Sequence, residues 1–301
     1  MKMVCRILAC WLMSCAITAA YADVQTSPEA TIRLEPYLGS TVAMHAEVNG
    51  HKGLFQFDTG GGESIISPDF AKTIGCTPWA RITGFRMTGE RLDFQRCDNL
   101  HFKTAGVLLK APTVGVLDIM SLLPKDAPHL DGSLGLDIFA GWTITFDESG
   151  KTLTIESVDS FKDRIRNAKE VPIRLVRDAE GVALTVDVAV PTSHGMAWME
   201  MDSGNGGGVL VIAKYLADQF HLDPNKKDPQ STKFEIAGGI PVEGQAITLD
   251  LIKDGNIGAQ FFRKWVLTVD LVSGRAWLLR RACPADSTHQ ASQRLACLTP
   301  A

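Results

Sequence analysis

Along most of the chain, apolar and polar residues alternate with a period of two, and helical periods are few and short. Val42 to Val48 and Val182 to Val190 both show this alternation. It turns one face of a strand toward a core and the other toward water. Thr152 to Ile155 and Ala276 to Leu279 alternate as well. Each follows an aspartate, Asp147 or Asp270, and a turn glycine, Gly150 or Gly274, which predicts two β-hairpins. Helical signals are local. Ser67 caps and Pro68 opens a short helix over Asp69 to Ile74, and Ile212 to Phe220 has helical spacing. The pattern predicts an all-β chain with a few short helices.

The pattern is also written twice. Phe57-Asp58-Thr59-Gly60-Gly61-Gly62 has a counterpart in Met201-Asp202-Ser203-Gly204-Asn205-Gly206, and each follows an alternating stretch. Downstream, Leu134-Gly135 matches Ile257-Gly258. Trp142 and Trp265, then Asp147 and Asp270, follow at equal spacings. Internal repetition on this scale predicts two lobes around an approximate two-fold axis. The units divide the chain into a leader (1–22), a first lobe with connector (23–168), a second lobe (169–282) and a tail (283–301). The charged segment Asp159 to Lys169 reads as the connector. The first copy is the longer, and its surplus is placed in a loop insertion over Thr104 to Leu130, which carries Pro112, Pro124 and Pro128.

Composition narrows the function classes. Hydrophobic residues make up 45% and charged residues 21%, with 30 basic against 34 acidic side chains. A net charge of -4 argues against a dedicated nucleic-acid binder. Lys2 and Arg6, the apolar run Ile7 to Ala20 and the Ala20-Tyr21-Ala22 site read as a secretory leader, so the protein is expected to be exported, periplasmic or secreted. Leu12-Met13-Ser14-Cys15 offers a lipidation box as the alternative. Four cysteines lie beyond the leader: Cys76, Cys97, Cys283 and Cys297. Three pairings are open, and joining sequence neighbours, Cys76 to Cys97 and Cys283 to Cys297, is the simplest. Their spacing does not suggest zinc.

The repeated Asp-Thr/Ser-Gly turn carries the candidate chemistry. Such a triplet makes a good turn by itself, because a short acidic side chain caps the backbone. Two copies at equivalent places face each other across the two-fold axis. Gly60 and Gly204, lacking side chains, allow a close approach. Asp58 and Asp202 then stand side by side and share a proton.

At these residues the chain resembles the retropepsin-like and pepsin-like aspartic proteases, in a bacterial exported form with both lobes in one chain. Phe57-Asp58-Thr59-Gly60 with Ser64-Ile65-Ile66-Ser67 is similar to the first active-site motif, and Met201-Asp202-Ser203-Gly204 with Val209-Leu210-Val211 to the second. Leu134-Gly135 and Ile257-Gly258 partly match the hydrophobic-glycine elements that back the turns. The resemblance implies a bilobal, aspartic-protease-like double β-barrel with pseudo-two-fold symmetry. It also implies an endopeptidase in which Asp58 and Asp202 activate a water, without cofactor or metal. Thr59 and Ser203 would cross-link the turns, and Gly60 and Gly204 would line the backbone of a peptide or protein substrate. A flap is expected at Ile82 to Phe94 or at Phe234 to Val242.

Gly61 and Asn205 depart from the family, which usually has Ala, Ser or Thr there. This motivates a second reading: an inactive module of the same fold that binds an extended peptide or an envelope partner. Pairing of lobes between chains is a third, and the unequal copies favour pairing within a monomer. The glycine runs lack the Lys-Ser or Lys-Thr of a phosphate loop, and no Gly-x-Ser-x-Gly elbow is present. Trp142 and Trp265 read as core, and Asp147 and Asp270 as turn formers.

Overall fold

A computed structural model describes residues 27–281. The leader with Cys15, Cys283, Cys297 and the tail lie outside the described residues. The first unit runs β1 (Ala30–Tyr37), β2 (Thr41–Val48), β3 (His51–Phe57), β4 (Ile65–Ile66), α1 (Pro68–Thr73), β5 (Trp79–Phe85), β6 (Arg91–Thr104), β7 (Val107–Val116), β8 (Gly132–Leu134), β9 (Thr143–Asp147) and β10 (Thr152–Ile155). Helix α2 (Val158–Ile165) and β11 (Lys169–Val171) lead into the second unit. That unit runs β12 (Ile173–Val176), β13 (Thr185–Thr192), β14 (Gly195–Met201), β15 (Leu210–Ala213), β16 (Gln230–Ile236), β17 (Ile240–Leu249), β18 (Gly255–Ile257), β19 (Trp265–Asp270) and β20 (Arg275–Arg280).

The two units share one topology. In the first, strand order is β1-β2-β3-β8-β4-β7-β6-β5; in the second it is β12-β13-β14-β18-β15-β17-β16. The pairing senses match as well. Strands β3 and β14 run parallel to β8 and β18, while β4 and β15 run antiparallel to them. The fold is all-β and bilobal, with two barrel-like sheets and a few short helices, as the sequence predicts.

The lobes also share a sheet. Hairpin β9–β10 of the first unit pairs through β9 with β19 of the second, in the order β11-β20-β19-β9-β10-β1. Near its centre the hydroxyls of Thr145 and Thr268 lie 2.9 Å apart, both buried. Above it, Phe57 packs on Phe139 and Phe146 with ring centroids 6.0 and 5.3 Å away. Phe146 in turn meets Phe262 of the second lobe at 5.2 Å. The Phe57–Phe139 and Phe146–Phe262 pairs are edge-to-face, an arrangement that adds to simple burial. The core is thus continuous across the lobe junction, directly beneath Asp58.

Several sequence expectations are corrected locally. Strand β13 begins at Thr185 rather than Val182, because the Leu184 N–H leaves the ladder and donates to Gly62 O of the other lobe at 2.9 Å. Ile212 belongs to β15, and the helical spacing after it makes a 3-10 turn over Lys214–Phe220. The connector is the helix α2, closed at its start by a capping box between Ser157 and Ser160. Only part of Thr104 to Leu130 is an insertion: ten of its residues form β7, the partner of β6 and β4. β17 is the counterpart of β7 and equally long, so the surplus of the first lobe falls on either side of them. It lies in the hairpin β5–β6 and in the segment before β8.

Helix α1 follows its signals. Ser67 accepts the Phe70 N–H at 3.1 Å, Pro68 opens the helix, and Phe70 and Ala71 are buried. A disulfide joins Cys76 to Cys97, fixing the end of α1 to β6.

Candidate functional site

The two Asp-Thr/Ser-Gly turns leave the ends of β3 and β14 and meet at the junction. Their backbones are placed by the strands behind them: the Asp58 N–H donates to Leu134 O and the Asp202 N–H to Ile257 O, each at 3.0 Å. Thr59 and Ser203 then bond reciprocally. The Thr59 N–H donates to Ser203 Oγ at 3.0 Å, and the Ser203 N–H donates to Thr59 Oγ1 at 2.9 Å. Each hydroxyl also reaches under the opposite turn, Thr59 to Met201 O at 2.6 Å and Ser203 to Phe57 O at 3.3 Å.

The glycines are required by this approach. A Cβ at Gly60 would stand 2.4 Å from Asp202 Cγ, and one at Gly204 would stand 2.2 Å from Asp58 Oδ2. No side chain fits there. Asp58 and Asp202 are consequently within hydrogen-bonding reach of each other. Burial and the neighbouring Asp202 charge hold the Asp58 carboxyl well above the usual range, against a bond from the Gly60 N–H at 2.9 Å. Asp58 is thereby favoured in its protonated form. A protonated carboxyl can donate to a carbonyl oxygen.

Around Asp202 the second lobe repeats the glycine N–H bond and adds groups that the first lobe lacks. Its Oδ1 accepts the Gly204 N–H at 2.7 Å and the Asn205 N–H at 3.0 Å. Its Oδ2 accepts Asn256 Nδ2 at 2.6 Å. Asn256 is held in turn by Glu200 and Asn205. Lys253 pairs with Glu200 behind it. Burial pushes Glu200 up to about 7, although the Lys253 charge opposes it. In register, Glu200 stands beside Asn256 as Gln56 stands beside Ser133 in the first lobe.

Behind the first turn, Ser64 Oγ donates to Asp137 Oδ1 at 2.6 Å and accepts the Gly135 N–H at 2.9 Å. Gly135 is as constrained as its partner Gly258: a Cβ would lie 3.0 Å from Gly62 O in one case and 2.8 Å from Asn205 O in the other. Burial raises Asp137 to about 6 despite the Ser64 bonds. Next to Ser64, Glu63 is 4% exposed, and neither of its carboxyl oxygens has a hydrogen-bond partner. Burial first, then the Asp137 charge, pushes it to about 8.

Of these residues, Asp58, Gly60, Glu63, Glu200, Gly204 and Lys253 line a cleft of about 860 Å³ between the lobes. Its roof is the hairpin β5–β6, from Gly84 to Glu90. The turn of this flap reaches the other lobe, where the Ile252 N–H donates to Met87 O at 2.9 Å. The segment Phe234 to Val242, the second flap expected from sequence, is the hairpin β16–β17 and does not line the cleft. Its Gly238 packs against the Glu170 backbone instead. Asp147 and Asp270 accept backbone N–H groups of their own turns. Trp265 is buried and Trp142 half-buried. Among the described residues no group of three His, Cys, Asp or Glu side chains is arranged to hold a metal ion.

Glu63, Glu200, Lys253 and Asn256 were not singled out from the sequence. Glu200 carried a faint signal, being a charge two residues before Asp202 on an otherwise apolar strand. Asn256 occupies a strand position where its lobe-one counterpart is Ser133.

No protein-family model and no curated protein sequence matches the chain. Solved structures do. Basic 7S globulin from soybean aligns over 83% of this chain and 94% of its own, with a TM-score of 0.52 and 9% identity. Conglutin gamma, a unique basic 7S globulin from lupine seeds, aligns over 85% and 96%, with a TM-score of 0.50 and 9% identity. The protein edgp aligns over 83% and 94%, with a TM-score of 0.54 and 8% identity. At such identities the likeness reaches the fold alone.

The resemblance to bacterial exported aspartic proteases is corrected by these findings. What the chain shares is a pepsin-like fold; of the three structures above, two carry the name of basic 7S globulins and none is named as a peptidase. The expectation of an aspartic-type peptidase falls with it. The reason is physical: the turn sequence is accounted for without catalysis. Thr59 and Ser203 are needed to join the lobes, and Gly60 and Gly204 are needed for them to meet.

Proposed function

We propose that the chain is a non-catalytic peptide-binding module, whose cleft receives an extended polypeptide between the flap and the paired turns. The supporting observation is the state of the acidic pair. Asn256 and two backbone N–H groups already occupy the Asp202 carboxylate. Those bonds take up capacity that a reactive water would share, and Gly61 offers no hydroxyl to Asp58.

The pair still suits recognition. Asp58, which lines the cleft, can supply a proton to a peptide carbonyl. Main-chain bonds to the flap edge extend the contact, in the manner of a strand added to a sheet. The volume is in the range of ordinary ligand clefts. The Cys76–Cys97 disulfide fits an oxidising, exported setting, the compartment the leader suggests.

The test is to incubate the purified full chain with a random peptide library and recover what is retained. Retention of intact peptides, lost when bulk is introduced at Gly84 of the flap, supports the reading. Failure to retain any peptide would count against it.

A further inference from the structure

Glu63 is the group in the cleft that nothing in the fold explains. It is 4% exposed and lines the cleft, and both carboxyl oxygens lack a partner among the described residues. Leaving a buried polar group unpaired costs about 1–3 kcal/mol, and more when it is charged. The strand registers of the two lobes place Val209 at the equivalent position, so the duplicated scaffold does not require an acid there.

The surroundings are acidic. Asp137 from the turn after β8 and Glu180 from the loop before β13 act on Glu63, and Asp178 lines the same end of the cleft. Arg96 of β6 is the cation nearby, but its guanidinium is committed to Asp98 at 2.7 Å and to Thr113 at 2.7 Å. The second lobe closes this end tightly: a Cβ at Gly62 would lie 3.3 Å from Ala183 Cβ. The loop Ala179-Glu180-Gly181 holds three successive positive φ angles, of 48°, 61° and 88°.

We propose that Glu63 floors a subsite for a basic side chain of the bound peptide, arginine above lysine. The inference rests on the peptide-binding reading of the cleft. A guanidinium brings two parallel N–H donors to the two vacant oxygens, the one arrangement that satisfies both at once. An ammonium satisfies them less completely. A metal ion is a poorer match, since among the described residues no group of three His, Cys, Asp or Glu side chains is arranged to hold one. Entry of the cation also supplies the counter-charge that Asp137, Glu180 and Asp178 leave missing, so the subsite is filled with the carboxylate ionised.

The full chain and Glu63→Gln, each immobilised at pH 7, are presented with a random ten-residue peptide library, and retained peptides are sequenced. Wild type is expected to enrich Arg, and less strongly Lys, at one position by more than about tenfold, the size of a charge-assisted bond. Glu63→Gln is expected to retain peptides without that enrichment. Basic enrichment in both proteins, or in neither, overturns the Glu63 assignment while leaving the cleft reading intact. No retained peptide in either overturns both. Replacing the selected arginine by citrulline gives a check on wild type alone: binding should weaken at least tenfold, and unchanged binding overturns the proposal.

Discussion

Thr59 and Ser203 hold each other by reciprocal bonds, each hydroxyl accepting the other's backbone N–H, at 3.0 and 2.9 Å. This small network joins the lobes at the floor of the cleft. The two hydroxyls are not equal. Thr59 Oγ1 donates to Met201 O at 2.6 Å, whereas Ser203 Oγ reaches Phe57 O at 3.3 Å. Thr59→Val leaves the Ser203 N–H and Met201 C=O buried without partners and should destabilise the fold by roughly 2–5 kcal/mol. Ser203→Ala should cost less, roughly 1–3 kcal/mol. Urea denaturation measures both, and the reverse order would show that the shorter bond is not the stronger link.

The glycines of the same turns give a steric prediction. Gly60→Ala and Gly204→Ala should each cost about 3 kcal/mol or more, because the new methyl meets the facing aspartate at 2.4 or 2.2 Å. Gly141→Ala is the control, with nothing within 4 Å of its Cβ position. Thermal melting should separate the first two from the third by many degrees. Equal melting temperatures would mean that the turns are farther apart than described.

Stability should fall as pH rises through neutrality. Burial raises Asp137 and Asp187 to about 6, Glu200 to about 7 and Glu63 to about 8. In the unfolded chain these groups titrate near 3.8 and 4.5. Between those values the folded state holds more protons, so the slope of unfolding free energy against pH is negative. Their contribution is complete below the unfolded values and is lost through about pH 6 to 8. Glu63→Gln removes one of them, so its stability relative to wild type should rise by roughly 1–3 kcal/mol between pH 5 and 9. A constant difference across that range would show Glu63 to be solvated.

Cys76 and Cys97 lie 21 positions apart, and their bond closes a loop that carries the first flap strand. Reduction, or replacement of both by serine, should lower stability by about 3 kcal/mol. The loss should appear as a lower melting temperature in reductant for wild type and a smaller reductant effect in the double variant.

Much of this architecture was written in the sequence where a local rule fixes the outcome. Alternation marked β2, the hairpins β9–β10 and β19–β20 followed from Asp and Gly at fixed offsets, and Ser67-Pro68 opened α1. The repeat located both turns because each must be Cβ-free at the same point. What escaped was set by tertiary contacts. The start of β13 is decided by Gly62 of the other lobe, and the strand character of β7 by its partners β6 and β4. Prolines at 112, 124 and 128 suggested a loop, but Pro112 sits within β7 and only the later two lie beyond it. Glu63 and Asn256 are ordinary polar letters in sequence. Their significance arises from burial and from facing groups that no local spacing reveals. The Asp-Thr/Ser-Gly motif implies a peptidase by resemblance, whereas its Thr59, Ser203, Gly60 and Gly204 are each accounted for by the joining of the lobes.

The most direct measurement is mass spectrometry of peptides recovered from the wild-type chain after prolonged incubation with the library at acidic and neutral pH. Binding without chemistry predicts peptides that are retained and intact, with no termini beyond those of a blank. New termini that disappear in Asp58→Asn would contradict the account and return the acidic pair to catalysis.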